Sequence, residues 1–147
     1  MEKESEIEIL LVDDNLHDTE LAIRALRKHH LANKILHLKD GAEALEYLFG
    51  SGQFLGRDTN KKPKVILLDL KMPKITGLEL LERIKKEPST CNIPVVILTS
   101  SKEHPDVQKC YALGANSYIV KPVEFENFSK AVAEAGFYWV LLNHSPA

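Results

Sequence analysis

The chain has few of the sequence features that mark disulfide-rich, zinc-binding or membrane proteins. It contains 2 cysteines in 147 residues, Cys91 and Cys110, with no Cys-x-x-Cys spacing, which favours reduced thiols over a disulfide framework. No His-Glu-x-x-His segment or Cys/His ligand spacing is present, so a zinc site is not expected. No apolar run approaches the roughly 20 residues that a membrane-spanning helix needs, and the charged start is unlike a signal peptide. We therefore expect a cytoplasmic protein that makes no membrane contact.

Net charge is also small, at -2 for the whole chain. The short basic cluster of Lys61, Lys62 and Lys64 lies beside a proline and is typical of a solvated loop, so no nucleic-acid partner is expected. The hydrophobic share of 44% and the charged share of 27% are ordinary for a globular domain. A chain of this length fits one domain with one core.

Short apolar segments alternate with segments of helical periodicity along the chain. Strands are predicted at residues 7–12, 35–38, 65–68, 93–98 and 118–120, and the second is expected nearer an edge. Helices are predicted at residues 16–30, 41–49, 78–87, 105–113 and 124–143. Residues 50–63 have the composition of a surface loop. This alternation predicts an α/β fold, a doubly wound five-stranded parallel sheet with helices on both faces.

Local signals support two of the predicted helix ends. Asn15, with Asp18 three residues later, is typical of an N-terminal cap for the first helix. Gly114 follows the fourth helix and is a natural C-terminal residue. The first helix is expected to bury a stripe that contains Thr19, Ala22, Ile23 and Leu26, and the third to bury Leu78, Leu81 and Ile84.

Polar side chains follow four of the predicted strands. They are Asp13 and Asp14 after the first strand, Asp69 after the third, Thr99 after the fourth and Lys121 after the fifth. Ligands bind at the carboxyl ends of the strands in open α/β sheets, so these groups should converge on one rim. Alone, Asp13 and Asp14 could be turn or helix-start residues and Asp69 a turn residue. Thr99 could be an ordinary strand-end hydroxyl, and Lys121 a solvated loop residue. Together they indicate phosphoryl chemistry, because clustered carboxylates suit Mg²⁺, an aspartate can be a nucleophile, and a lysine and a hydroxyl can bind the phosphoryl oxygens.

Four ordered motifs give the chain a close resemblance to a known family. They are VDDN at residues 12–15, LLDLKMPKITGLELL at 67–81, VVILTSS at 95–101 and GANSYIVKP at 114–122. In this order they resemble the response-regulator receiver family of two-component signalling. The resemblance implies a flavodoxin-like receiver fold, with residues 1–147 as a single receiver domain and no output domain.

The resemblance also implies roles for individual residues. Asp69 would be the phosphoacceptor. Mg²⁺ would be held by Asp14 directly, by Asp13 mainly through water, by Asp69 itself and by the backbone carbonyl of Lys71. Thr99 would bond a phosphoryl oxygen and Lys121 would pair with the phosphate charge.

Three further positions match family features. Tyr118 matches the switch aromatic, although an ordinary sheet residue would give the same pattern. The peptide bond before Pro122 would be cis and would aim the preceding lysine at the site. Gly77 is interpreted as allowing a tight turn into the third helix.

The expected function is that of a stand-alone response regulator, a phosphoacceptor switch rather than an enzyme. A histidine kinase would supply the phosphoryl group, and a separate, unidentified protein would receive the signal. The 50–63 loop and the aromatic residues 137–139 are similar to those of small regulators paired with bacterial phytochrome kinases. Apolar residues left over on the last helix suggest a homodimer through that helix, although a flatter helix could bury them.

Two other function classes are weighed against this one. A phosphatase that forms an aspartyl-phosphate would be expected to carry an aspartate two residues after its nucleophile, where this chain has Lys71. A flavodoxin-type binding module would need a glycine-rich phosphate loop after the first strand. Asp13 and Asp14 occupy that place and would repel a phosphate that carried no metal.

Overall fold

Five parallel strands form the centre of the molecule. A computed structural model describes residues 7–28, 34–72, 74–99 and 104–120, together with Lys130 and Glu134. The strands are β1 (Ile9–Val12), β2 (Ile35–Leu38), β3 (Val65–Leu68), β4 (Val95–Thr99) and β5 (Ser117–Val120). They form one sheet in the order β2-β1-β3-β4-β5. β2 therefore lies at an edge, as its weaker apolar pattern predicted.

Helices occupy the connections between the strands. They are α1 (Leu16–Lys28), α2 (Gly41–Phe49), α3 (Gly77–Lys86) and α4 (His104–Ala112). The predicted α/β architecture is confirmed, with element ends shifted by one or two residues. The helix predicted at 124–143 lies outside the described residues except for Lys130 and Glu134, which are helical and exposed. Within the described ranges, no helix combines the length and apolar character needed to cross a bilayer.

Apolar side chains pack on both faces of the sheet. Alternate residues of β1 and β3 point to opposite faces, so both strands are fully buried and their apolar runs are unbroken. One face carries Leu10, Val12, Ile66 and Leu68 against α2 and α3. The other carries Ile9, Leu11, Val65 and Leu67 against α1. This two-sided burial fixes the carboxyl ends of β1 and β3 beside each other.

The helix ends follow the predicted capping chemistry, and the buried stripes differ slightly from prediction. Asn15 Oδ1 accepts a hydrogen bond from the Asp18 backbone N–H at 3.0 Å, and Gly114 has a φ of 103°. The buried stripe of α1 contains Ala25 in place of the predicted Ile23, which is half-buried. That of α3 contains Leu80 in place of the predicted Leu78. Each helix is thus rotated slightly on the sheet relative to the predicted stripe.

The 50–63 loop is largely exposed, as predicted, and one side chain anchors it. Arg57 Nε donates to the Tyr47 carbonyl at 2.7 Å, and its guanidinium carbon lies 3.9 Å from the centre of the Tyr47 ring. The Phe54 ring meets the same tyrosine edge-on, with centroids 5.2 Å apart. Leu55, between these anchors, is 82% exposed. The loop begins where α2 ends, at the edge of the sheet opposite the carboxyl ends of the strands.

The two cysteines are free thiols in different surroundings. Cys110 is buried, and burial, aided by the nearby negative charge of Asp106, raises its thiol pKa to about 11 from an ordinary 9.0. Only the thiolate is nucleophilic, so Cys110 should react about 100-fold more slowly than an ordinary thiol. We expect one rapid iodoacetamide adduct per native chain and two after denaturation, counted by intact mass. A Cys91→Ser variant should lose the rapid adduct, and a rapid adduct on Cys110 would contradict this picture.

Candidate functional site

Three carboxylates converge at the carboxyl ends of β1 and β3. One oxygen from each of Asp13, Asp14 and Asp69 lies within 4.8 Å of the others. The backbone explains the convergence, because the Asp69 N–H donates to the Val12 carbonyl at 3.0 Å and so extends the pairing of the two strands. Asp13 and Asp69 are buried, whereas Asp14 is exposed. The sequence placed these residues on one rim, and the structure brings them together.

Asp13 is held from several directions. Its Oδ1 accepts a hydrogen bond from the Asn15 backbone N–H at 2.9 Å, and its own N–H donates to the Leu38 carbonyl at 3.2 Å. Its carbonyl lies 2.8 Å from Nε2 of His37. A carbonyl oxygen can only accept, so Nε2 carries the proton in this bond. His37 could not be identified from the sequence, because a single histidine on an edge strand carries no motif.

The carboxylate trio fits a hard divalent cation. Like charges this close repel one another, and a cation among them offsets that repulsion. All three side chains offer oxygen atoms, which are the ligands that Mg²⁺ and Mn²⁺ prefer over nitrogen or sulfur. Lys71 lies two residues beyond Asp69, and its side chain is exposed. The site therefore has the donor set for a cation, and one of its three carboxylates, that of Asp14, is open to solvent.

Gly77 is required at the site because the backbone of the Asp69 segment passes very close to it. A Cβ at Gly77 would lie 2.3 Å from the Asp69 carbonyl oxygen and 2.5 Å from the Leu70 Cα. The predicted tight turn into α3 agrees with the closure of this loop, in which the Gly77 N–H donates to the Leu70 carbonyl at 2.9 Å. Gly77 is not among the residues with positive φ, and the described non-glycine residue that has one is Lys74, at 66°. The glycine therefore serves the turn by close approach, because it allows the start of α3 to pack directly against the backbone of the Asp69 segment.

The remaining predicted residues lie on β4 and β5 or beyond them. Thr99 is the last residue of β4, is fully buried and pairs with Val120 in the sheet. Tyr118, in β5, pairs with Ile97 of β4 and is half-buried against the core on the α2–α3 face. Lys121 and Pro122, with the predicted cis peptide bond, lie outside the described residues. Lys121 follows directly after the residue that pairs with Thr99.

Comparison with known proteins gives a consistent result. Residues 9–133 match the family model of the response regulator receiver domain. A curated relative, the probable methanogenesis regulatory protein FilR2 of Methanothrix harundinacea, is 38% identical over 99% of this chain and 92% of its own length. The similarity therefore spans nearly all of both chains.

Solved structures agree in fold over nearly the whole chain. The phosphorylated cyanobacterial phytochrome response regulator RcpA has a TM-score of 0.88 and 32% identity, covering 97% of this chain and 100% of its own. The Mn²⁺-bound form of response regulator Rcp1, from Synechocystis, has a TM-score of 0.85 and 34% identity, covering 95% and 98%. The bacteriophytochrome response regulator AtBRR has a TM-score of 0.74 and 48% identity, covering 95% and 100%.

Proposed function

We propose that this chain, which belongs to the response-regulator receiver family, accepts a phosphoryl group on the carboxylate of Asp69 and signals through a change of conformation. The observation that carries the proposal is the convergence of Asp13, Asp14 and Asp69 within 4.8 Å. Membership of this family favours the phosphoacceptor function over the phosphatase and flavin-binding alternatives. Asp69 lies in the middle of the sheet edge, and its strand is fully buried, which holds the nucleophile in a fixed position.

We propose Mg²⁺ as the physiological cation, held by Asp13, Asp14, Asp69 and the backbone carbonyl of Lys71. The presence of Mn²⁺ in the structure of Rcp1 supports a divalent cation at this rim. When bound, the cation neutralises charge on the phosphoryl oxygens and on the acid cluster. The buried Asp13 and Asp69 would fix its place, and Asp14 is exposed to the solvent from which it would come.

The proposed reaction is a transfer between two side chains. A carboxylate oxygen of Asp69 attacks the phosphorus of a phosphohistidine, an oxygen–phosphorus bond forms, and the nitrogen–phosphorus bond breaks. The kinase imidazole leaves with the electron pair of that bond. Thr99, at the end of the neighbouring strand β4, would donate its hydroxyl proton in a hydrogen bond to a phosphoryl oxygen, and Lys121 would pair with the phosphate charge.

The signal would travel along the β4–β5 side of the sheet. The new negative charge at Asp69 would draw Thr99 toward it, and the half-buried Tyr118 would repack into the space beside β4. We propose that residues 1–147 act as a single receiver domain that passes this change to a separate protein. A homodimer through residues 124–143 is a further part of the proposal, and sedimentation at micromolar concentrations tests it.

The proposed upstream partner is a phytochrome histidine kinase. Support comes from the phytochrome response regulators RcpA and AtBRR, which match this chain over nearly its full length. Phosphoryl transfer from an autophosphorylated phytochrome kinase should be faster than transfer from an unrelated histidine kinase at equal concentration. Equal rates would remove the phytochrome assignment and leave the receiver chemistry intact.

Intact mass after incubation with acetyl phosphate tests the central proposal. The wild type should gain one phosphoryl group with Mg²⁺ and none in EDTA, and Asp69→Asn should gain none under either condition. Asp58→Asn, which changes an exposed aspartate in the distant 50–63 loop, should behave as the wild type does. A full gain in Asp69→Asn, or no gain in folded wild type beside a working receiver control, would refute the assignment of Asp69.

A further inference from the structure

We infer that His37 is a positioning residue for the acid cluster, acting through the backbone of Asp13. His37 lies in the edge strand β2, opposite Leu11 of β1 and on the face that α1 covers. Its Nε2 donates to the Asp13 carbonyl at 2.8 Å and lies 3.4 Å from Oγ1 of the buried Thr19. One ring nitrogen thus meets both the loop that carries the carboxylates and the helix that follows it.

The backbone of β2 ends where this loop needs support. The β1–β2 pairing continues as far as the Asp13 N–H, which donates to the Leu38 carbonyl. The chain then leaves the sheet, and Asp40 caps α2 by accepting a hydrogen bond from the Glu43 backbone N–H at 2.8 Å. No strand backbone of β2 continues to the Asp13 carbonyl, the first carbonyl after β1. The side chain of His37 supplies the donor to this carbonyl instead.

This bond fixes more than one residue of the loop. Asp13 is held at its N–H, its carbonyl and its carboxylate, the last through the Asn15 backbone N–H at 2.9 Å. Asn15 in turn accepts the first backbone bond of α1, from the Thr19 N–H at 2.9 Å. The exposed Asp14 lies between these two held residues, so the position of its carboxylate depends on them.

The consequence is a specific effect on cation affinity. Hydrogen-bond partners that orient metal ligands typically change metal affinity by about 10–100-fold when they are removed. The hydrogen bond from His37 reaches a backbone carbonyl rather than a carboxylate, so we expect a loss near the lower end, about tenfold. The inference rests on the proposed function, because it requires that the acid cluster hold a divalent cation.

Three substitutions at position 37 separate positioning from packing. The amide nitrogen of glutamine reaches about as far from Cβ as imidazole Nε2, and that of asparagine reaches only as far as Nδ1. His37→Gln should therefore retain the bond to Asp13, whereas His37→Asn and His37→Leu should lose it. Titration of Mn²⁺ followed by electron paramagnetic resonance measures the affinity directly, without any phosphorylation step.

Thr90→Val is the matched control. Thr90 Oγ1 donates to the Ile84 carbonyl at 2.6 Å in a buried hydrogen bond. Thr90 precedes β4 in the chain and lies at the edge of the sheet opposite the acid cluster. The control loses a buried side-chain-to-backbone hydrogen bond of the same kind and should be destabilised without any change in Mn²⁺ affinity. A comparison at equal folded fraction, checked by circular dichroism, removes stability from the measurement.

The expected result is a Mn²⁺ dissociation constant raised about tenfold in His37→Asn and His37→Leu, with the wild-type value restored in His37→Gln and kept in Thr90→Val. Wild-type affinity in His37→Asn, or equal losses in the asparagine and glutamine variants, would overturn the inference and leave the proposed function standing. Failure of the wild type itself to bind Mn²⁺ would instead overturn the proposed function, and the inference with it. If His37→Leu does not fold, the asparagine–glutamine pair decides the question.

Discussion

A Gly77→Ala variant is expected to lose about 3 kcal/mol or more of folding free energy and to accept no phosphoryl group when it does fold. The added methyl would lie 2.3 Å from the Asp69 carbonyl oxygen and 2.5 Å from the Leu70 Cα. Both obstacles are backbone atoms, so no side chain can rotate out of the way. Overpacking of a core normally costs about 1–3 kcal/mol when side chains can adjust, and here the β3 end itself must move.

The same displacement should disable the site, because the atoms that move belong to the phosphoacceptor segment. Urea denaturation gives the free energy, and intact mass after acetyl phosphate treatment gives the phosphoryl gain. Gly56→Ala is a suitable comparison, since its Cβ would have no atom within 4 Å but its φ of 90° disfavours any side chain. It should cost about 1 kcal/mol and remain fully phosphorylated. Similar costs for the two variants would contradict the close-approach explanation.

Removal of one carboxylate by Asp14→Asn should abolish the stabilisation of the protein by Mg²⁺. At 100 times its dissociation constant, a ligand stabilises the folded state by about 2.7 kcal/mol. For a domain of this size that energy raises Tm by roughly 5–11 °C. Asp14 is exposed, so the variant should keep the fold, but it loses one of the three carboxylates of the acid cluster.

The sign of the effect in the absence of cation distinguishes a binding site from a structural cluster. Three like charges within 4.8 Å repel, so in EDTA the Asp14→Asn variant should melt at or above the wild-type temperature. Thermal unfolding with and without Mg²⁺ measures both effects. Glu20→Gln, the same charge change on the exposed face of α1, should keep the Mg²⁺ shift. A Tm fall in EDTA for Asp14→Asn would show a structural role for that carboxylate.

Sequence patterns were sufficient to predict the architecture because burial of β1 and β3 on both faces requires unbroken apolar runs. The placement of Asp13, Asp14 and Asp69 followed from one rule, that carboxyl ends of parallel strands share an edge. The strand order and the helix rotations did not follow. They depend on which apolar faces fit together, as with Ala25 replacing Ile23 in the buried stripe of α1.

Contacts between distant segments were also beyond the sequence. The bond from His37 to Asp13 joins residues that are 24 positions apart, and neither residue type predicts the other. Gly77 was predicted to allow a tight turn, but the sequence did not show how near α3 comes to the Asp69 backbone, because periodicity carries no such distance. In the same loop, Lys74 takes the left-handed conformation and pairs with Asp40 at 3.6 Å, which no local motif signals.

The anchoring of the 50–63 loop by Arg57 has a consequence for how this chain tolerates change in length. The contact of Arg57 with Tyr47 divides the long loop into two shorter loops, each anchored at both of its ends. Closure entropy rises only slowly with length, by about 0.6 kcal/mol for each doubling, and the Leu55 side chain is 82% exposed. Insertions beside Leu55 therefore cost little free energy of folding. They also lie at the sheet edge farthest from Asp69, so a new binding specificity can arise there without disturbing the phosphoryl chemistry.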